Sequence, residues 1–350
     1  MAVYTAINDP TVYFQAQLYT GNQSTLNVTN DGNAALQPDW VWFHQRNGTN
    51  WPSMYDSSRG VEKQINSNVD NSQYSNVTGL TAFNSDGFTL GSHTNENTNS
   101  GTYVAWQWKA NGGTTASNAS GTITSTTQVN TTAGYGIVTY TGNGVNGATV
   151  GHSLGVVPQV IIVKRLDLAA NWMVYHEATG QTKATFLDLT AAADTDAGYW
   201  SNTAPTTGIF NLGTNTKGNA NGGTYVAYCF AGKQGYSKFG SYLGNSSTNG
   251  AFIYTGFKPA WVMVKNISAA QSWWIWDYKR IGYNGSGGNL KVRPNDNTAE
   301  NNGEKIDIVS NGFKFRDGDN AWNFSGNEYI YMAFAENPFV TSDGVPTTAR

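Results

Sequence analysis

The sequence predicts an all-β protein of three tandem repeats, each about 100 residues long and each a β-sandwich-like unit of six or seven short antiparallel strands. Three observations predict it. Of 350 residues, 40 are Gly, 40 Asn and 40 Thr, whereas Leu occurs only 13 times. Gly and Asn serve turns and Thr fits strands better than helices, which argues against a helix-rich architecture. Aromatic residues reach 13%, with 12 Trp and 19 Tyr, too much apolar area for a disordered chain. Third, five sequence anchors recur three times in the same order.

The first anchor closes a strand with Tyr19-Thr20-Gly21-Asn22, again at Tyr140-Thr141-Gly142-Asn143 and Tyr242-Leu243-Gly244-Asn245. Next, 17 to 19 residues on, comes a Pro-led apolar strand: Pro38-Asp39-Trp40-Val41-Trp42-Phe43-His44, Pro158 to Lys164, and Pro259 to Lys265. A Trp follows 13 or 14 residues after the Pro, at Trp51, Trp172 and Trp273, and opens a short aromatic strand. A later strand carries Phe88, Phe210 or Phe313. The last strand starts 15 or 16 residues further, at Tyr103, Tyr225 and Tyr329. Its core face is Val104, Trp106, Trp108, then Val226, Tyr228, Phe230, then Ile330, Met332, Phe334, because strand side chains alternate with period two. The core anchors are therefore Trp51, Trp172, Trp273, Phe88, Phe210, Phe313, Trp106, Tyr228 and Met332.

These anchors divide the chain into an N-terminal arm at 1–12, repeats at 13–108, 134–231 and 235–337, and a C-terminal arm at 338–350. Residues 109–133, almost all Gly, Ser, Thr, Asn and Ala, read as a linker. The Pro-led strand is apolar on both faces, whereas a two-layer sandwich needs only one. Its second face is expected to be covered by a neighbouring repeat, a long loop or another subunit.

Charged residues are 12%, against roughly 25% in an ordinary soluble domain, and net charge is −3. Without concentrated Lys and Arg, nucleic acid is not expected as a partner. No apolar run of about 18 residues occurs, so no membrane span is expected. Met1 to Gln15 lacks a basic segment followed by an apolar one, so no signal peptide is expected and synthesis in a cytoplasm is. Cys229 is the only cysteine, which removes internal disulfides and cysteine-rich metal sites, and a buried inert thiol is expected.

Trp273-Trp274-Ile275-Trp276 is the densest aromatic feature. Burial at an interface is the first reading. If the segment binds a ligand such as a sugar, Trp274 and Trp276 are the candidates, since their face is not shared by all copies. His44, His93, His152 and His176 lack zinc spacing and read as solvated strand ends. Asp317 and Asp319, in Arg316-Asp317-Gly318-Asp319-Asn320, resemble part of a calcium loop but lack its terminal Glu, and turn chemistry explains them without a metal. No nucleophile elbow and no recurring carboxylate pair occur, so no enzyme, catalytic residue or cofactor is expected.

Longer motifs carry a resemblance. They are Ile7-Asn8-Asp9-Pro10 with Tyr13-Phe14-Gln15, Gln37 to Trp42, Leu80 to Gly91, Gly151-His152-Ser153-Leu154-Gly155-Val156-Val157-Pro158, Phe239 to Asn245, and Ala333-Phe334-Ala335-Glu336-Asn337-Pro338-Phe339. Over nearly its whole length the chain resembles virion structural proteins of tailed bacteriophages, especially marine and cyanobacterial ones, often labelled tail fibre-like. The resemblance implies a place on the particle surface, other virion proteins as partners, and a tail fibre-like module for host attachment through a surface glycan or protein. Capsid decoration (a head-fibre or joining role) is the alternative, and a polysaccharide-degrading tailspike-type enzyme a more distant one. Phage-fibre analogy and the two-sided apolar strands lead to an expected homotrimer, with a pseudo-threefold monomer as the competing arrangement.

Overall fold

The structure is a computed structural model that describes residues 4–280, 284, 289–303 and 305–347. Residues 1–3 and 348–350 of the two expected arms lie outside the described residues. The chain is all-β, and among the described residues its helices are three or four residues long.

The first third holds β1 (Phe14–Thr20), β2 (Leu26–Val28), β3 (Trp40–Gln45), β4 (Ser53–Asp56), β5 (Lys63–Asn66), β6 (Tyr74–Ser75), β7 (Leu80–Asn84), β8 (Gly87–Leu90) and β9 (Thr102–Trp108). The second holds β10 (Ala116–Asn118), β11 (Ser125–Asn130), β12 (Tyr135–Thr141), β13 (Ala148–Gly151), β14 (Val160–Arg165), β15 (Met173–His176), β16 (Lys183–Phe186), β17 (Asp194–Thr195), β18 (Ile209–Leu212) and β19 (Thr224–Phe230). The last holds β20 (Ser237–Leu243), β21 (Phe252–Tyr254), β22 (Phe257–Asn266), β23 (Trp274–Asp277), β24 (Lys291–Val292), β25 (Ile306–Val309), β26 (Gly312–Phe315) and β27 (Glu328–Pro338).

Three large antiparallel sheets run β1-β9-β3-β4-β5-β6, β10-β11-β12-β19-β14-β15-β16-β17 and β20-β27-β22-β23-β24. Small sheets β2-β8-β7, β13-β18 and β21-β26-β25 accompany them. Residues 109–133, expected as a linker, supply β10 and β11, and β11 pairs with β12 from Ser125 opposite Tyr140 to Asn130 opposite Tyr135. Composition misleads there because Thr and Ser satisfy a strand ladder as well as a solvated coil.

Alternation distributes the side chains between two kinds of core. Trp40 and Trp42 of β3, Val160 and Ile162 of β14, and Trp261 and Met263 of β22 enter one shared cluster. Their neighbours face three separate clusters: Val41 and Phe43 with Phe88, Ile161 and Val163 with Phe210, and Val262 and Val264 with Phe313. Each large sheet thus packs on its small sheet with one face and on the other two large sheets with its second face. That supplies the expected covering within one chain. In the shared cluster Trp40 stacks on Tyr228 at 4.4 Å, and Trp108 meets Trp261 edge-on at 5.7 Å. Such ring pairs add about 0.5–1.5 kcal/mol beyond their buried area.

Polar bonds cross the same boundaries. Tyr228 Oη donates to Asp56 Oδ2 at 2.8 Å, Trp106 Nε1 to Asp277 Oδ2 at 2.9 Å, and His176 Nε2 to the Tyr331 carbonyl at 3.2 Å. Lys164 Nζ donates to the Asp70 carbonyl at 2.8 Å and Lys265 Nζ to the Thr190 carbonyl at 3.0 Å, each reaching back to the preceding large sheet's side of the chain. His44 holds the matching strand position, with Nε2 3.3 Å from the Arg293 carbonyl.

The Tyr-x-Gly-Asn ends share one corner. Tyr19 stacks on Tyr103 at 5.1 Å, Tyr140 on Tyr225 at 5.0 Å, and Tyr242 on Tyr329 at 5.1 Å. A buried Asn lies beside each pair. Asn97, Asn219 and Asn323 accept from the backbone N–H of Asn22, Asn143 and Asn245 and donate to the carbonyls of Gly91, Gly213 and Asp317. The glycine is fixed by close approach: a Cβ on Gly142 would sit 2.5 Å from the Ala220 carbonyl oxygen.

Candidate functional site

Two sets of residues singled out by sequence meet in one place. Trp274 and Trp276 lie on the face of β23 turned toward the third separate core. Both pack edge-on against Trp322, at 5.4 and 5.7 Å between ring centres. Trp322 Nε1 donates to Asp317 Oδ1 at 2.5 Å, and Asp317 Oδ2 takes an ion pair from Lys305 at 2.5 Å. Trp322 was not singled out by sequence, because it lies outside the recurring anchors.

Cations cover the aromatic surface. Lys291 Nζ is 5.5 Å from the centres of Trp274 and Trp322, and the Arg293 guanidinium is 5.4 Å from Trp274. Burial lowers the Lys291 pKa, and neighbouring Lys305 lowers it further. Trp276 is fully buried and offers no ring face to solvent, whereas Trp274 is partly buried at the edge of this cluster. Asp319 accepts from the Ala321 backbone N–H at 2.8 Å, closing a turn. Among the described residues no group of three or more His, Cys, Asp or Glu is placed to hold a metal ion.

Of the nine core anchors, Trp172, Trp273, Phe88, Phe210, Phe313, Trp106, Tyr228 and Met332 are buried. Trp51 is not: it is 39% exposed. Trp172 Nε1 and Trp273 Nε1 donate across to the Asn66 and Phe186 carbonyls at 2.9 and 2.8 Å. At the corresponding first junction the bonding runs instead from Trp42 Nε1 to Ser67 Oγ and from Ser67 Oγ to the Pro294 carbonyl. Trp42, where β14 has Ile162 and β22 has Met263, supplies the indole that Trp51 was expected to supply.

The histidines require a correction. His44, His152 and His176 are buried rather than solvated, and only His93 reaches the surface, paired with Glu96 at 2.9 Å. Burial pulls the His176 pKa down to about 4, and its neutral ring accepts at Nδ1 from the Ala178 backbone N–H. His44 and His176 are buried because their strand ends abut another large sheet's segments, the Arg293 and Tyr331 carbonyls, whereas His152 bonds within its own third, to the Thr206 carbonyl at 3.1 Å. Cys229 is buried in the second separate core, and desolvation raises its pKa, so the thiol stays protonated.

The fold defines an all-β protein of several antiparallel sheets joined through one shared core. Residues 9–338 match the family described as a domain of unknown function, DUF7483, and the chain belongs to that family. No curated protein and no solved structure matches it.

Proposed function

We propose that the chain is three tandem copies of one β unit closed around a common core, and that it serves as a non-enzymatic surface protein of a bacteriophage virion, a tail fibre-like module for host attachment. The observation that carries the reading is the shared cluster in which Trp40, Tyr228, Trp261 and Phe334 from three large sheets pack together. Burying both faces of β3, β14 and β22 within one chain leaves the loops as the surface free to vary, and recognition residues concentrate on loops held by rigid scaffolds. The resemblance of its long motifs to phage virion proteins supplies the particle. The same closure removes the two-sided strands as a reason to expect a homotrimer.

Immunogold electron microscopy of particles, together with adsorption assays in the presence of free protein, tests this. Label on the tail and competition for adsorption are expected. Label on the head, with loss of capsid stability and unchanged adsorption, would replace the reading by a decoration role. Release of reducing ends from host polysaccharide would replace it by a depolymerase.

A further inference from the structure

A cleft of about 370 Å³ lies where the N-terminal segment, the start of the third sheet and the C-terminal segment converge. Its walls include Tyr4, Lys233, Lys238, Tyr254 and Phe339, with Gln159 from the strand region of β14. The volume suits one or two sugar rings. Its aromatics differ from those elsewhere in the chain. Most rings are buried, yet Tyr4 is 53% and Tyr254 54% exposed, two of only five aromatic side chains so exposed among the described residues.

Its charge is also unbalanced. Neither Lys233 nor Lys238 has a carboxylate partner among the described residues. Lys238 Nζ donates to the Tyr254 carbonyl at 2.8 Å and lies 5.2 Å from the Tyr254 ring centre, which leaves two N–H groups for a ligand. Partial burial lowers its pKa, a cost that an incoming anion would offset. Among the described residues no Asp or Glu lines the cleft; Gln159 on its wall donates from Nε2 to Glu177 at 2.5 Å, while Gln159 Oε1 accepts from the Gly232 N–H at 2.8 Å.

We propose that this cleft binds a carboxylate-bearing sugar residue of a surface polysaccharide, with Tyr4 and Tyr254 against its C–H faces and Lys233 and Lys238 on its carboxylate. Tyrosine rings supply an apolar surface at low entropic cost, and a carboxylate paired with partly desolvated ammonium groups supplies the selection against neutral sugars. The inference rests on the surface-recognition reading above for its biological setting, but its chemistry is tested separately.

Isothermal titration of the full chain with tetragalacturonate and with maltotetraose is the experiment. Saturable binding of tetragalacturonate is expected, with maltotetraose at least about tenfold weaker, since a charge-assisted bond is worth that factor or more. Lys238→Met and Tyr254→Ala should each weaken tetragalacturonate binding about tenfold while leaving the circular dichroism unchanged. Equal affinity for both oligosaccharides, no heat with tetragalacturonate, or unaltered binding by both variants would overturn the site. Failure here with adsorption still blocked by free protein removes the cleft and leaves the attachment reading. A label found inside the capsid removes that reading and leaves the binding result to stand alone.

Discussion

Tyr228 on β19 donates its hydroxyl hydrogen to Asp56 at the end of β4, 2.8 Å away across the boundary between two large sheets. Asp56 is also paired with Arg59 at 2.5 Å, and both side chains are almost wholly buried. Asp277, at the end of β23, has the same neighbours in kind: Arg280 at 2.6 Å and the Trp106 indole at 2.9 Å. At the end of β15 stands His176, bonded to the Tyr331 carbonyl. One geometric problem, a strand end pressed into the next sheet, is thus met twice by a carboxylate with its own arginine and once by a neutral imidazole.

Replacing Tyr228 by Phe keeps the ring on Trp40 and removes the hydrogen bond to Asp56 together with the long one, 3.5 Å, accepted from Arg59 Nη2. A loss of about 1.5–3 kcal/mol is expected, because Asp56 retains Arg59. Urea unfolding of the variant at neutral pH checks the value. A change below about 0.5 kcal/mol would mean that the bond adds little to sheet docking.

His176 makes stability depend on acid in a defined window. Its folded pKa is about 4, against about 6.5 when unfolded. Between those values the unfolded chain holds the extra proton, so stability falls as pH drops from about 6.5 to about 4 and is unaffected by this group above that range. The full effect is on the order of 3 kcal/mol. His176→Gln, whose amide can both donate to Tyr331 and accept from Ala178, should flatten the pH profile of the urea midpoint. His44, lowered mainly by burial, also to about 4, leaves part of the slope in place.

The corner asparagines should behave alike. Asn219 accepts from Asn143 at 2.9 Å and donates to Val145 and Gly213 at 2.9 and 2.8 Å, so Asn219→Ala removes the partner of three backbone groups, of which the Gly213 carbonyl is buried. A cost of roughly 2–4 kcal/mol is expected for it, with Asn97→Ala and Asn323→Ala in the same range. Gly142→Ala, driven into the Ala220 carbonyl, should cost a similar amount. Thermal denaturation of the four variants checks this, and an unaffected Asn219→Ala would show the corner to be dispensable.

Covering both faces of the Pro-led strands inside one chain predicts a monomer in solution. Light scattering should give a mass near 37.8 kDa across a dilution series. Three times that mass, stable to dilution, would restore the homotrimer expected from the two-sided strands and phage-fibre analogy.

Local features of the fold are legible in the sequence. The β class followed from Thr, Asn and Gly in place of Leu, and the alternation in Trp40-Val41-Trp42-Phe43 already told of two covered faces. The corner also has a regular sequence signal, an Asn six residues before the last-strand Tyr, at Asn97, Asn219 and Asn323. The aromatic cluster was half legible, since Trp274 and Trp276 stood out but their partner Trp322 lies 46 residues beyond Trp276 in a loop.

By itself the sequence determined the all-β class, the recurring strand anchors and which positions on each strand are apolar, because period-two alternation and turn chemistry are local. Only the tertiary structure decided what lies against each face. It placed Trp40 on Tyr228, buried His44 and His176, exposed Trp51 and turned residues 109–133 into paired strands. Those outcomes depend on packing between segments distant along the chain, where one larger residue such as Trp42 displaces another, and no local pattern records that.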